Sequence, residues 1–306
     1  MLIYDHPEQL IGLNKPVYWA LGFFDGVHRG HRKVIRAAHS PGALRGVLTF
    51  DRHPLTLLRP ESAPLLLTPD AAQKAELIEK EGQADVLLRW PFTAELAGME
   101  PLAFLDALSA ACRIAGISVG ANWRFGRGGS GSPELLCREG EIRGFPVKVQ
   151  DLEEVEGMPV SSSRARIELA AGHLERVELL LGRRYSIIGT VEHGQHLARR
   201  LGFPTANVHM TAGAALPPFG VYSVRCLLGA EPRIGIANLG MRPTIKESTK
   251  EVRLEVHLPG WQGDLYGQRL EVELMHFVRP ERSFPSIEAL QRQMQRDIAA
   301  VMAEFS

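Results

Sequence analysis

The chain has 306 residues, with 35 basic and 35 acidic side chains, zero formal net charge, 45% hydrophobic and 23% charged residues. That balance excludes a polycationic nucleic-acid coat and a membrane-surface anchor, and a length about twice that of a typical domain predicts two domains, each with its own core. Cys112, Cys137 and Cys226 are odd in number, widely spaced and without metal-ligand spacing, so they read as reduced thiols of a cytoplasmic protein.

The opening MLIYDHPEQL carries acids and a proline where a secretory signal needs an apolar run, and no segment has the apolar length of a membrane span. Buried strands are expected at PVYWALG (16–22) and RGVLTF (45–50), with a helix over HRKVIRAAHS (31–40) between them. In LTPDAAQKAELIEKEG the expected N-cap is Thr68, with Pro69 in the first turn and Gly82 as the stop. ADVLLRW and IAGISVG add two strand-like runs, and SSSRARIELAAGHLERVELLLG is a helical region interrupted at Gly172. Strand and helix in alternation predict a parallel sheet with helices on its faces.

After Gly182 the texture changes. RYSIIGTVEHG, GVYSVRCLLG, PRIGIANLG, EVRLEVHLPG and QRLEVELMHFV alternate polar and apolar residues between Gly or Pro stops, which predicts an antiparallel barrel or sandwich. The chain closes with a helix whose Ile287, Leu290, Met294, Ile298 and Val301 share one face. The seam falls near LLLGRRYS, giving domains at 1–181 and 182–306.

Between the first strand and first helix lies ALGFFDGVHRGHRKVI. A helix N-terminus offers free backbone N–H groups and a dipole that favour an anion, and His28 and His31, three apart, can donate to phosphate oxygens from one face. A surface histidine pair and half of a metal site are the alternatives. Gly30 favours the ligand reading, because it leaves room for close approach to the backbone.

Gly-x-Phe-Asp-Gly-x-His-x-Gly-His resembles the signature of nucleotidyltransferases that move an AMP group onto a phosphate. More narrowly, it resembles the adenylyltransferase module of bacterial bifunctional riboflavin kinase/FMN adenylyltransferases, the FAD synthetases. TFDRHP (49–54), with Arg52 where Pro is usual, VGANWRFGRGGSG (119–131), with Trp123 for Phe, and VSSSRAR (160–166), with Ser163 for Thr and Ala165 for an aliphatic, continue the likeness. It implies a Rossmann-like domain in which FMN phosphate attacks the α-phosphorus of ATP and pyrophosphate leaves. The attacker is already anionic, so such catalysis is positioning and charge stabilisation. The resemblance assigns His28 and His31 to charge stabilisation, and Gly22, Phe24, Asp25, Gly26 and Gly30 to the ATP-binding turn. Ser162, Ser163 and Arg166 would hold the β and γ phosphates, and Asn122 would contact flavin or nucleotide. By residue type alone, the serines could equally be N-caps and Asn122 a turn residue.

GTVEHGQHLARRLGFPTANV (189–208) resembles the riboflavin kinase signature, whose core is Gly-x-Pro-Thr-Ala-Asn. No Gly-x-x-x-x-Gly-Lys-Ser/Thr is present, so a P-loop is excluded. Gly189 and Gly194 are expected to form a loop over ATP phosphates, joined by Arg199, with Pro204 fixing the backbone beyond it. Thr205 and Asn207 are hard oxygen donors on one side of an extended segment, suited to a Mg²⁺ ion that also binds substrate phosphates. A buried turn is the plainer reading of PTAN alone. The resemblance makes Glu255, in RLEVHL, the catalytic base and Arg242 a flavin contact; strand alternation by itself would allow Glu255 to be an exposed charge. Ala198 and Met241 depart from the usual Gly and Thr.

The likeness spans nearly the whole chain and implies ATP, riboflavin, FMN and FAD as substrates and products, Mg²⁺ as cofactor, and neither nucleic acid nor membrane as partner. Two rivals stay open: a kinase with a degenerate N-terminal half, opposed by intact His28 and His31, and a flavin-binding regulator, opposed by Thr205, Asn207 and Glu255 together.

Overall fold

The computed structural model describes residues 1–193, 203–228, 231–243 and 250–305. The apolar runs of the first half form β1 (Leu2–Tyr4), β2 (Val17–Leu21), β3 (Leu44–Phe50), β4 (Val86–Trp90), β5 (Ile114–Gly120) and β6 (Val147–Gln150). They make one parallel sheet in the order β1-β4-β3-β2-β5-β6. Alternate residues of β2 serve opposite faces: Val17, Trp19 and Leu21 join one core, Tyr18 and Ala20 the other. Being buried on both faces, the central strand reads as a continuous apolar run.

Helices cover both faces. α1 (Arg29–Ala37) packs Val34 and Ile35 on the Tyr18 side. The short α2 (Leu55–Leu58) follows β3, and α3 (Ala71–Gly82) then adds Ala75, Leu77 and Ile78 to the same core. α4 (Ala94–Gly98), α5 (Pro101–Ala111) and α6 (Pro133–Arg143) place Leu96, Phe104, Leu105, Leu108 and Leu136 on the Trp19 side. A two-strand ribbon, β7 (Glu154–Val155) and β8 (Met158–Pro159), precedes α7 (Ser162–Ala170). Gly172, at φ 80°, separates α7 from α8 (Leu174–Leu181) where the interruption is expected.

Two details of α3 differ from the sequence reading. Its N-cap is Asp70, whose carboxylate accepts from the backbone N–H of Gln73, because Thr68 is engaged elsewhere. Its stop is Gln83, left-handed at φ 56°; Gly82 is the last helical residue, where a Cβ would lie 2.7 Å from Ile35.

The second half closes β9 (Ser186–Glu192), β10 (Thr205–Met210), β11 (Gly220–Leu228), β12 (Glu231–Pro243), β13 (Lys250–His257) and β14 (Arg269–Arg279) into an antiparallel barrel ordered β10-β13-β12-β11-β14-β9. Tyr222, Val224, Cys226, Leu239, Leu254, Val256, Leu270 and Val272 are buried from four strands at every second position. β10 is the extended segment expected to carry Thr205 and Asn207 on one side. The closing helix, α9 (Ile287–Glu304), packs Val301 and Ile298 against Val221 and Ile236, while Ile287 at its start is exposed. By contacts the chain divides into two compact units, Met1–Arg164 and Ala165–Ser306.

Candidate active sites

β2 is the point where the strand order of the parallel sheet turns back: β3 and β4 lie to one side, β5 and β6 to the other. At such a switch point the loops leaving adjacent strand ends open a crevice for ligands. The loop leaving β2 is Gly22–His28. Its backbone is forced: Phe24, Gly26 and Val27 have φ of 56°, 77° and 40°. A left-handed β-branched valine is rare and costly, and such strain collects at functional turns. Gly22 is required locally, since a Cβ there would stand 2.8 Å from the Phe24 ring.

Side chains behind the turn hold it in that shape. Thr68 accepts from the N–H of Gly26 at 3.0 Å, and its own N–H donates to Asp25 Oδ1 at 3.0 Å. Asp25 and Thr68 are both buried. Ser162 donates from Oγ to the Asp25 carbonyl at 2.9 Å, which ties the start of α7 to the same turn. The cap of α7 is made by Ser161, which accepts from the N–H of Arg164 at 3.1 Å. Ser163 follows Ser162, and Arg166 lies one turn further along the helix.

His28 caps α1: its Nδ1 accepts from the N–H of His31 at 3.2 Å, so in the neutral ring the proton sits on Nε2. The two imidazoles are stacked with centroids 3.5 Å apart, and Phe24 meets His31 edge-on at 5.2 Å. Burial, then the charges of His28 and Lys74, holds the pKa of His31 well below the ordinary histidine value. The neutral form of His31 is therefore favoured, and in that form the ring can offer an N–H donor rather than a fixed cation. Its buried Nδ1 has no hydrogen-bond partner among the described residues. Gly30 faces the His28 ring, which a Cβ would meet at 3.3 Å, so the space beside this glycine is taken by the imidazole.

β5 ends beside β2, and Asn122 lies exposed in the turn that follows. Trp123 stacks on Phe125 at 4.6 Å and packs on the Trp19-side core, so the larger ring is accommodated. Arg52 is exposed and pairs with Asp51 at 3.0 Å.

In the barrel, Asn207 on β10 stands directly across from Glu255 on β13, and Thr205 across from His257. Residues opposite in antiparallel register share a face, as do Thr205 and Asn207 two apart. Their neighbours Ala206, Val208, Leu254 and Val256 are buried, so alternation leaves the oxygen-bearing set half-buried on the other face. His257 faces the Pro204 carbonyl at 2.8 Å; a carbonyl only accepts, so Nδ1 carries the proton and pins the start of β10. On the other side of Glu255, Asn238 of β12 is its register partner and donates to Glu281 at 3.0 Å. Beside Thr205 and Asn207 opens a cleft of about 490 Å³, bounded also by Pro204, Trp261, Asp264 and Tyr266. The indole N–H of Trp261 is buried and has no hydrogen-bond partner among the described residues.

The expected loop at Gly189 is corrected. Gly189 lies within β9, paired with Met210 and Leu270, and a Cβ there would stand 2.2 Å from the His209 carbonyl oxygen. The glycine lets two strands approach. Gly194, Ala198 and Arg199 lie outside the described residues, and Arg242 is placed only by its backbone in β12. Among the described residues no group of three or more His, Cys, Asp or Glu side chains could hold a metal ion. A cation at Thr205 and Asn207 would thus draw on neutral oxygens and on the phosphates of its substrate. That donor set is the hard, partly hydrated kind that suits Mg²⁺.

Sequence reading took Thr68 only for a helix cap and passed over Thr49, Ser161, Asn238, Trp261 and Lys74. Only Lys74 left a signal: it stands on the apolar stripe of α3, three and four residues before Leu77 and Ile78.

A family model described as FAD synthetase matches residues 11–164, and one described as riboflavin kinase matches residues 181–305. A bifunctional riboflavin kinase/FMN adenylyltransferase of Listeria monocytogenes is 32% identical, over 98% of this chain and 96% of the relative. The proteins of the same description from Pseudomonas fluorescens and Escherichia coli K12 are each 36% identical, covering 92% and 90% of this chain and 91% and 89% of their own. A crystal structure from Streptococcus pneumoniae, described as a macrolide-efflux protein, superposes with a TM-score of 0.84 at 24% identity over 98% of both chains, a likeness of fold.

Proposed function

The chain belongs to the bifunctional riboflavin kinase/FMN adenylyltransferase family, and from that premise we propose which of its residues carry the two reactions. The protein phosphorylates riboflavin with ATP to give FMN, and transfers AMP from ATP to FMN to give FAD and pyrophosphate. We assign adenylyl transfer to residues 1–181 and the kinase to residues 182–306.

In the first reaction an FMN phosphate oxygen attacks the α-phosphorus of ATP and the bond to the β-phosphate breaks. His28, with its proton on Nε2, and the neutral His31 donate hydrogen bonds as negative charge builds on the triphosphate. Gly22, Phe24, Asp25, Gly26 and Gly30 shape the turn around it. Ser162, Ser163 and Arg166 hold the β and γ phosphates, and Asn122 contacts the flavin or its phosphate. The observation that carries this assignment is the Ser162–Asp25 bond, which brings the start of α7 to the histidine turn at the switch point.

In the second reaction the terminal hydroxyl of the ribityl chain attacks the γ-phosphorus of ATP. Glu255 accepts the proton, ADP leaves, and Asn207 across the ladder aligns the phosphates. Thr205 and Asn207 would hold Mg²⁺, which when bound neutralises phosphate charge. The cleft beside them takes the nucleoside of ATP. Arg199, Gly194 and Arg242 keep the roles expected from sequence. We place the protein in the cytoplasm, where its three unpaired thiols stay reduced and flavin cofactors are consumed; no described helix is long and apolar enough to cross a membrane.

Incubation with riboflavin, ATP and Mg²⁺ followed by separation of the flavins tests the assignment. FMN and FAD are expected together. FMN alone would mean a degenerate first half, and neither product would mean a binding protein.

A further inference from the structure

Lys74 lies in the apolar stripe of α3 and is only 8% exposed. A buried ammonium is costly unless it is compensated. Burial pushes its pKa down from the ordinary 10.5 to about 8, against the pull of Asp25 in the histidine turn and Asp51 after β3. Between those two values the unfolded chain holds the extra proton, so stability rises with pH there, and below about 8 the charged side chain costs the fold stability. A residue kept at such a cost beside a ligand-binding turn points to function.

Its contacts say what that function is. The ammonium lies 3.9 Å above the centre of the Phe23 ring, donates to Thr49 Oγ1 at 3.2 Å, and reaches the Phe50 carbonyl at 3.5 Å. Thr49 in turn donates to the carbonyl of Phe23 at 2.8 Å. Ring, carbonyl, hydroxyl and ammonium thus close a clamp on Phe23. The next residue is the left-handed Phe24, and His28 follows four residues later. His31 faces the same ammonium from α1 and loses proton affinity partly because of it.

We propose that Lys74 is a positioning residue for adenylyl transfer: acting through Thr49 and Phe23, its charged side chain fixes the turn that presents His28 and His31 to the triphosphate. The inference rests on the reading of that turn as the adenylyl-transfer site. Lys74 touches no reacting atom; its effect is on alignment, where a displacement of about 1 Å can cost about a hundredfold in rate.

The test uses the full chain, with FMN, ATP and Mg²⁺ for FAD formation and riboflavin phosphorylation as the control. Lys74→Met should lower kcat for FAD formation about 10- to 100-fold, with little change in KM for ATP and none in riboflavin phosphorylation. Thr49→Val should act in the same direction, and the double variant should be no slower than Lys74→Met, because both break one clamp. The parent's FAD formation should fall as pH rises through about 8, where Lys74 loses its charge, and that limb should be missing in Lys74→Met. A parent rate in Lys74→Met, an unchanged alkaline limb, or additive losses would each overturn the proposal. Should Lys74→Met not fold, Thr49→Val and the parent profile decide: parent-like turnover in the first or a flat profile in the second refutes it. His28→Ala is run alongside. If it makes FAD normally, the site reading fails; if it is inactive while Lys74→Met is active, only the role of Lys74 fails.

Discussion

Buried and stacked on His28, the imidazole of His31 does not readily take a proton. At His31 burial dominates, with His28 and Lys74 adding to it, so the neutral ring persists below the ordinary histidine range. The unfolded chain protonates at its usual value and the fold refuses that proton, so His31 makes the fold less stable as pH drops below about 6.5. The thermal midpoint of the first unit should therefore fall more steeply between about pH 7 and 5 in the parent than in His31→Asn. Parallel curves would show that His31 titrates normally. As N–H donors, His28 and His31 should each be worth about two orders of magnitude in FAD formation when replaced by Ala, with riboflavin phosphorylation untouched; equal loss of both activities would make them structural. Glu255 is the reciprocal case. Glu255→Gln keeps the size and removes the base, so kinase turnover should drop about 10²- to 10⁴-fold while FMN supplied directly is still converted to FAD. Normal phosphorylation by that variant would reduce Glu255 to an exposed strand charge.

At the scale of elements, strands approach each other closely where a glycine allows it. In β3, a Cβ on Gly46 would stand 2.4 Å from Val17 and 2.6 Å from Trp19, both fully buried. Gly46→Ala should cost about 1–3 kcal/mol, the scale of an overpacked core. The urea midpoint of the first unit, followed by FAD formation, should drop while the kinase transition stays in place. An unchanged midpoint would mean that β2 shifts to make room. The same elements show what was legible beforehand. Continuous apolar runs announced the central parallel strands, and period-two alternation announced most of the barrel. The segment after Pro204 was legible only as extended, because Pro204 and the short polar residues after it resemble a turn by themselves; pairing with β9 and β13 makes it the strand β10. The N-cap of α3 was misread for a related reason. Thr68 is a good capping residue by type, but Asp25 and Gly26, more than forty positions earlier, claim its hydrogen bonds.

The whole molecule carries two ATP-dependent reactions whose proposed residues sit in separate parts of one chain. If FMN leaves the kinase before it is adenylylated, the parts can be supplied by different molecules. A mixture of His28→Ala and Glu255→Gln proteins should then convert riboflavin to FAD, although each alone stops at FMN or fails to start. No FAD from the mixture, with both variants folded, would mean that FMN passes directly within one chain.

Composition, period and motif were enough to place a parallel α/β half before an antiparallel half and to single out His28, His31, Thr205 and Asn207, while Glu255 was singled out only by family resemblance. Those properties depend on residue type and local spacing, which a linear sequence carries. The protonation state of His31, the tie from Ser162 to the Asp25 carbonyl, the pairing of Asn207 with Glu255 and the clamp of Lys74 on Phe23 were decided by tertiary structure. Each depends on groups far apart in the chain, or on the water that burial removes, and neither distance nor dielectric is written in local spacing.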